Sequence, residues 1–264
     1  MSQNTITFSF GKNWKSFLDH MPEDAIAEAR DAIADWLDAD SIAGIDVLDI
    51  GCGSGLHSLC FHLLGAKTLH SFDYDEHSVQ ATERLWEKAD KPNNWRVEHG
   101  SVLDKGHLAK IDPADLVYSW GVLHHTGSMW EAIGNAADKV RPGGRLFIAL
   151  YVKGPNYAEH LALKQEYNSG SWMKKKWMIR KFILRRMLKR WRKGKNPFTW
   201  NEPRRRGMNV YHDLIDWYGG LPYEVASPSE VDDFLIPRGF QLQRIREVPE
   251  GGCNEYLYQL ASHS

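Results

Sequence analysis

The chain has 264 residues, and its 33 Lys and Arg against 34 Asp and Glu give a formal net charge of −1. Hydrophobic residues make up 42% and charged residues 25% of the sequence, which is ordinary for a globular protein and excludes extensive disorder. The length fits one large domain, or one domain that carries an insertion.

The cysteines and the apolar runs indicate the compartment. Cys52, Cys60 and Cys253 are scattered and odd in number, which favours neither a disulfide framework nor a metal site. The first residues lack the apolar stretch of a secretory signal, and no apolar run approaches the ~20 residues that span a bilayer. We therefore expect a cytoplasmic protein that binds no metal.

The small net charge conceals a strong asymmetry. Residues 171–206 contain 15 Lys or Arg and one acidic residue, Glu202, so this block carries a formal charge of +14. The rest of the chain then carries −15. A basic block of this charge favours partners with a negatively charged surface.

Short apolar strands alternate with amphipathic helices along most of the chain. In chain order, the predicted elements are a helix over 22–38, a strand over 45–50, a helix over 56–65, a strand over 68–75, a helix over 77–90, and strands over 95–104, 114–120 and 145–151. This order predicts an α/β fold, a doubly wound and mostly parallel sheet with helices on both faces.

The alternation of strands and helices stops after Tyr151 for about seventy residues and resumes with a helix at 227–239. There, Ser227 or Ser229 is a candidate N-cap and Gly239 follows the helix end. Two alternating segments, 241–248 and 254–262, then predict an antiparallel edge pair of strands.

The segment VLDIGCGSG predicts a strand, a glycine turn and a helix, an arrangement that brings a ligand close to backbone. A dinucleotide site needs G-x-G-x-x-G, whereas here Gly51, Gly53 and Gly55 are evenly spaced and Asp49 precedes them. A carboxylate repels a pyrophosphate but attracts a cationic amino group. With Asp73 placed to accept from ribose hydroxyls, the pattern favours a cationic nucleoside, S-adenosylmethionine (SAM).

Five motifs in order resemble the class I SAM-dependent methyltransferases, most closely the branch of small-molecule methylases that includes ubiquinone and menaquinone biosynthetic enzymes. The motifs are VLDIGCGSG, FDYD, EHGSVLD, DLVYSWGVLHHT and VRPGGRLFIALY. The resemblance implies a seven-stranded sheet in the order 3-2-1-4-5-7-6 with a helical insertion after strand five. We expect an N-terminal helical cap at 1–44, a SAM-binding core at 45–152 and 223–264, and a basic lid at 153–222.

The same resemblance implies the cofactor contacts. Gly51, Gly53 and Gly55 would line the methionine and ribose, and Asp73 would hold the ribose hydroxyls. Further expected contacts are Tyr74, Ser101 and Val102 around the adenine, Ser119 and Trp120 near the sulfonium, and Trp14 folded over the cofactor. Asp104 is either a further contact or a helix cap.

A hydroxyl acceptor must lose a proton, which calls for a base with a pKa near 7. The loop GVLHHT faces the methyl group in this fold, so His124 and His125 are candidate bases, with helix packing as the alternative. His212 is a third candidate because Asp216 follows it at i,i+4. We expect Tyr151, Tyr211, Asp213 and Glu255 to contact the acceptor, although helix packing and turn chemistry would also explain the last three.

Residues 171–193 combine Trp with Lys and Arg in one amphipathic helix. Three interpretations remain open. The helix meets an anionic membrane surface or a lipid-like substrate, it binds RNA phosphates, or it covers the active site and pairs with the acidic body. The first would make the protein peripheral at the inner membrane surface, and we rank nucleic acid below it.

Taken together, the sequence predicts a SAM-dependent methyltransferase that methylates an oxygen of a small-molecule acceptor and releases S-adenosylhomocysteine. Two alternatives stay open. One is an RNA methyltransferase of the tRNA type that uses the basic insertion. The other is a protein with the SAM-binding fold that performs no catalysis and binds a membrane or a partner.

Overall fold

The computed structural model describes residues 25–201 and 210–262. Seven strands form one sheet in the order β3-β2-β1-β4-β5-β7-β6, which confirms the predicted fold. The strands are β1 Asp46–Ile50, β2 Thr68–Asp73, β3 Trp95–His99, β4 Ala114–Trp120, β5 Val140–Tyr151, β6 Phe240–Arg246 and β7 Cys253–Leu260. Strands β1 to β5 pair in parallel, and β7 runs antiparallel to both β5 and β6.

Nine α-helices lie in the described ranges. They are α1 Ala25–Leu37, α2 Leu56–Leu63, α3 Glu76–Lys88, α4 Lys105–Leu108, α5 Met129–Ala137, α6 Tyr157–Ser169, α7 Trp172–Arg192, α8 Val210–Gly219 and α9 Pro228–Leu235. None of these helices combines the length and the apolar character needed to cross a membrane.

Two apolar cores sandwich the sheet. Helices α1, α2 and α3 pack on one face, around residues such as Ile33, Phe61 and Leu85. Helices α4, α5 and α9 pack on the other, around residues such as Ile133 and Val231. Burying these side chains stabilises the fold by roughly 25 cal/mol per Å² of apolar surface. The packed cores thereby fix the positions of the strand ends.

A third, smaller core joins α6, α7 and α8 into a helical layer. Its buried members are Tyr167, Met178, Ile179, Leu214 and Tyr218. These helices lie between β5 and α9 in the chain, where the sequence predicted an insertion.

The largest differences between the predicted and the observed strands lie at two strand ends. Strand β3 ends at His99 rather than continuing to Asp104, which instead caps α4 by accepting from the Gly106 and His107 N–H groups. Strand β5 begins at Val140, five residues before the predicted start at Arg145. The N-cap of α9 is Ser227, in a capping box with Glu230.

Candidate active site

One continuous cavity of about 1390 Å³ lies where the strand order reverses, at the carboxyl ends of β1 and β4. This is the position at which open α/β sheets bind ligands. Its wall runs from the glycine turn and Asp73 to side chains of the helical layer, among them Phe182 and Trp217. A volume above the roughly 300–1,000 Å³ of a single ligand site leaves room for two ligands side by side.

The glycine turn after β1 requires glycine at two of its positions for different reasons. Gly51 has φ +77°, and a Cβ there would lie 2.4 Å from the Val122 Cγ2. Gly55 has φ +79° at the start of α2, and its Cβ would lie 2.8 Å from the Thr82 Cα. Gly51 and Gly53 line the cavity, whereas Gly55 allows α2 and α3 to pack closely and does not line it. The ligand contact of Gly55 therefore stays a prediction that the cavity wall does not support.

Asp73 ends β2 and connects it to the glycine turn. Its Oδ2 accepts from the Gly53 N–H at 3.0 Å, and its Oδ1 accepts from the Asp75 N–H at 2.8 Å. Burial raises the pKa of this carboxyl to about 6, and the two N–H donors oppose the rise. An ionised carboxylate offers about four acceptor positions, so it can also accept from two hydroxyl groups of a ligand.

Asp49 lies inside the end of β1 and is 2% exposed. A chain of hydrogen bonds leads to it, since Trp95 Nε1 donates to Ser71, Ser71 Oγ to Ser58, and Ser58 Oγ to the Asp49 Oδ2. Burial raises the pKa of Asp49 to about 7, and the charge of Asp73 adds to the rise. Among the described residues no cationic side chain contacts this carboxyl, which lines the cavity and therefore fits a cationic amino group of a ligand.

Of the other residues expected around the cofactor, four line the cavity and Ser119 does not. Tyr74, Ser101, Val102 and Trp120 all line it. Ser119 does not line it, and its hydroxyl donates to the Ile50 carbonyl of the neighbouring strand β1 at 3.0 Å. Its contact with the cofactor stays a prediction. Trp14 lies outside the described residues.

The two histidines after β4 line the cavity but are poor bases. The buried His124 ring lies against Tyr151, at 4.2 Å between centroids, and its Nδ1 accepts from the Tyr151 N–H at 3.4 Å. His125 donates from Nδ1 to the Pro222 carbonyl at 2.6 Å, which leaves the lone pair on Nε2. Burial lowers both pKa values, well below the ordinary value for His124 and to about 3 for His125, and the Lys164 charge lowers them further.

Helix α8 turns one face to the cavity. The residues at its helical spacing of three and four, Val210, Asp213, Leu214 and Trp217, line the wall. Tyr211 and His212 project from other sides of the helix and are not part of that wall, although His212 is buried. The roles of Tyr211 in acceptor binding and of His212 as a base stay predictions, without support from the cavity wall.

Glu255 lines the cavity but is already engaged by neighbours. Trp120 Nε1 donates to its Oε1 at 2.9 Å, and Arg246 Nη1 lies 3.0 Å from its Oε2. These contacts hold Trp120 in place and leave acceptor positions on the carboxylate, so the acceptor contact of Glu255 stays a prediction.

The sequence analysis missed Lys164, which is fully buried in α6. Its Nζ donates to the Trp217 carbonyl and lies 5.1, 4.6 and 4.6 Å from the ring centroids of Tyr151, Trp217 and Tyr223. Burial lowers its pKa to about 7. Its spacing from Tyr157, His160 and Tyr167 on one helix face was the signal that could have identified it.

The sequence analysis also missed His160 and Glu250, which lie next to each other on the cavity wall. The His160 Nδ1 lies 4.0 Å from the Glu250 Oε1 and 3.4 Å from the Tyr223 hydroxyl. Asn156 Nδ2 donates to the other Glu250 oxygen at 2.8 Å, which fixes the carboxylate. The two residues are 90 positions apart in the chain, so their pairing has no local sequence signal.

Sequence comparison finds relatives that share the core of the fold. "Ribosomal protein L11 methyltransferase" of Methylococcus capsulatus is 35% identical over 115 residues, or 44% of this chain and 36% of that protein. "tRNA U34 carboxymethyltransferase" of Idiomarina loihiensis is 30% identical over 114 residues, or 43% of this chain and 35% of that protein. The chain thus spans about a third of the length of these relatives.

A solved structure agrees over nearly the whole fold. Magnesium protoporphyrin IX methyltransferase of Synechocystis PCC 6803, crystallised with S-adenosylhomocysteine, covers 95% of this chain and 94% of its own with a TM-score of 0.57 and 15% identity. A family model described as "Methyltransferase domain" matches residues 18–203. The chain therefore belongs to this methyltransferase-domain family, whose class I fold binds S-adenosyl-L-methionine.

Proposed function

We propose that this protein transfers a methyl group from SAM to an oxygen of a small, largely apolar acceptor. The observation that carries the proposal is the continuity of the cavity from Asp49 and Asp73 to the aromatic wall of the helical layer. A methyl donor and an acceptor bound in one cavity react as neighbours, which removes much of the entropic barrier of a bimolecular reaction.

Three features of this chain would hold the donor. Asp49 would pair with its amino group, Asp73 would accept from its ribose hydroxyls, and the Gly51–Gly53 turn lets it approach the backbone. When bound, SAM supplies an electrophilic methyl group on a positively charged sulfur. Both carboxyls have pKa values near neutrality, so a cationic ligand would bind by favouring their ionised forms.

The acceptor end of the cavity favours an aromatic or apolar molecule. Five apolar or aromatic residues there line the cavity, namely Tyr151, Phe182, Leu214, Trp217 and Leu221. Apolar walls with a few polar groups are typical of small-molecule sites. A folded RNA would instead need a basic surface, whereas the acidic Asp213, Asp216 and Glu250 line this cavity.

For the proton of a hydroxyl acceptor we favour His160 over the histidines that the sequence indicated. His124 is enclosed by Tyr151 and backbone, and a pKa of about 3 makes His125 a weak base. The Glu250 carboxylate beside His160 would stabilise the imidazolium that forms when His160 takes the proton. His125 would then serve to orient the acceptor.

The test measures methyl transfer from radiolabelled SAM to a panel of phenols, catechols and aliphatic alcohols, with mass spectrometry and NMR to locate the methyl group. We expect a methyl ether product. His160→Gln should lower kcat by roughly 100-fold or more without changing SAM affinity, the usual contribution of a general base.

His77→Gln, outside the cavity wall at the start of α3, is the matched control and should keep full activity. Methyl transfer only to nitrogen, carbon or sulfur would overturn the oxygen acceptor. A normal kcat in His160→Gln would remove His160 from the role of base.

A further inference from the structure

Helix α7 has two apolar stripes, and only one of them packs against the protein. Met178 and Ile179 are buried, with Phe182 and Ile183 beside them, against Tyr167 and the residues of α8. The side of α7 that packs is set by α6 and α8.

The second stripe points away from the protein. Met173, Trp177, Leu184, Leu188 and Trp191 are between 49% and 72% exposed. At 100° per residue these five fall within a sector about 60° wide that runs along five turns of the helix. We call them the outer stripe. So large a row of exposed apolar side chains marks a site of interaction.

Basic residues border the outer stripe on both sides. Helix α7 carries ten Lys and Arg and no acidic residue. At the same angular step, Lys176 and Arg180 flank one edge, and Lys174, Lys181 and Arg185 flank the other. The Lys181 ammonium also lies 4.7 Å from the centroid of the Trp177 ring, so positive charge is held beside the aromatic surface.

We propose that the outer stripe of α7 docks on the surface of an anionic phospholipid bilayer. Leucine, methionine and tryptophan side chains on one line would enter the boundary between headgroups and acyl chains, while the flanking Lys and Arg bind lipid phosphates. Nucleic acid would engage the cations but leave the aliphatic side chains in water. A second copy of the helix would bring its ten positive charges against the ten of the first, and the repulsion disfavours a dimer through this helix.

Docking in this way would place the acceptor end of the cavity close to the membrane. Phe182, on the packed side of the same helix, lines the cavity. The bilayer-binding surface and the active-site wall are therefore opposite sides of one helix. The proposal does not depend on the methyl transfer reaction, because lipid binding is measured without SAM or an acceptor.

The test is flotation of the full-length protein with vesicles of phosphatidylglycerol and phosphatidylcholine at 3:7, compared with pure phosphatidylcholine, at 0.1 M salt. We expect binding at least tenfold stronger to the anionic vesicles, together with a blue shift of tryptophan fluorescence. Trp177→Ala/Leu184→Ala/Trp191→Ala should weaken this binding at least tenfold, as should Lys181→Glu/Arg185→Glu. Thermal melts check that each variant folds.

The control is Leu63→Ala/Ile236→Ala, which removes two equally exposed apolar side chains outside the helical layer and should leave vesicle binding unchanged. Equal binding to neutral and anionic vesicles would overturn the proposal, as would full binding by the triple variant. Tighter binding to a mixed-sequence RNA than to the vesicles, or a dimer that the triple variant abolishes, would also overturn it. SAM affinity unchanged in the triple variant would separate this surface from the active site.

Discussion

Two carboxyl groups, Asp49 and Asp73, end neighbouring strands of the sheet and face the same cavity. Each is buried enough that its pKa is raised, to about 7 and about 6. At neutral pH the pair is therefore partly protonated without a ligand. A cation that binds beside them would release protons as it binds.

The first prediction concerns the pH dependence of SAM binding. Because the ligand selects the ionised carboxylates, affinity should rise as pH increases through the pKa values of about 6 and about 7. Between pH 5.5 and 7.5 we expect the dissociation constant to fall roughly 10- to 100-fold. Calorimetry in buffers of different ionisation enthalpy also measures the protons released. Affinity that is flat, or that falls over this range, would contradict the prediction.

The second prediction concerns Lys164. Its pKa is about 7 in the fold, against 10.5 for an ordinary lysine, so the unfolded chain binds the extra proton between these values. The free energy of unfolding should therefore rise with pH above about 7, by at most ~1.4 kcal/mol per unit from this group. Lys164→Met should lose that dependence.

Chemical denaturation at pH 7, 8 and 9 measures the difference between wild type and variant. We expect the wild type to gain stability relative to Lys164→Met as pH rises. The control is Lys110→Met, which replaces an exposed lysine. Its stability difference from the wild type should not change with pH. A difference that stays constant with pH would mean that Lys164 remains charged in the fold.

At the scale of elements, the helical layer depends on the packed side of α7 rather than on its amphipathic pattern as a whole. Ile179 is buried in the small core shared with α6 and α8, whereas Leu184 on the same helix is 61% exposed. Replacing either residue by Ala removes an aliphatic side chain of the same size. The difference in stability between the two variants therefore reports which side of the helix packs.

The third prediction follows from this contrast. Ile179→Ala should lower the free energy of unfolding by about 2–4 kcal/mol, as is usual for a buried aliphatic residue. Leu184→Ala should change it by less than about 0.5 kcal/mol. Urea denaturation followed by circular dichroism measures both. Equal losses, or a larger loss in Leu184→Ala, would mean that α7 packs through the outer stripe.

Across the whole molecule, the parts that sequence predicted well are those with local signals. The alternation of apolar strands and helices is encoded within a few positions, and it predicted the doubly wound sheet. The glycine turn at Gly51 and the acidic residue at Asp73 also have local signals, and both residues line the cavity. The side of α7 that packs has no such local signal, because the helix carries two apolar stripes. Which stripe packs depends on the helices that lie against α7.

The acceptor side of the site was also beyond local reasoning. His160 pairs with Glu250 and Lys164 meets Tyr151, Trp217 and Tyr223 only through tertiary contacts of the helical layer. The histidines of the β4 loop had the right position but not the right environment, because burial and a nearby lysine lower their pKa values. Position along the chain thus indicated which residues line the cavity better than it indicated the environment of each side chain.

The measurement that tests the central claim most directly is calorimetric titration with SAM of three proteins, namely the wild type, Asp73→Asn and Asp104→Asn. The two variants make the same chemical change, but Asp104 caps α4 outside the cavity wall and asparagine also caps helices well. We predict saturable binding by the wild type and Asp104→Asn with equal affinity, and binding at least tenfold weaker by Asp73→Asn. No binding by the wild type, or equal affinity in Asp73→Asn, would contradict the account of this site.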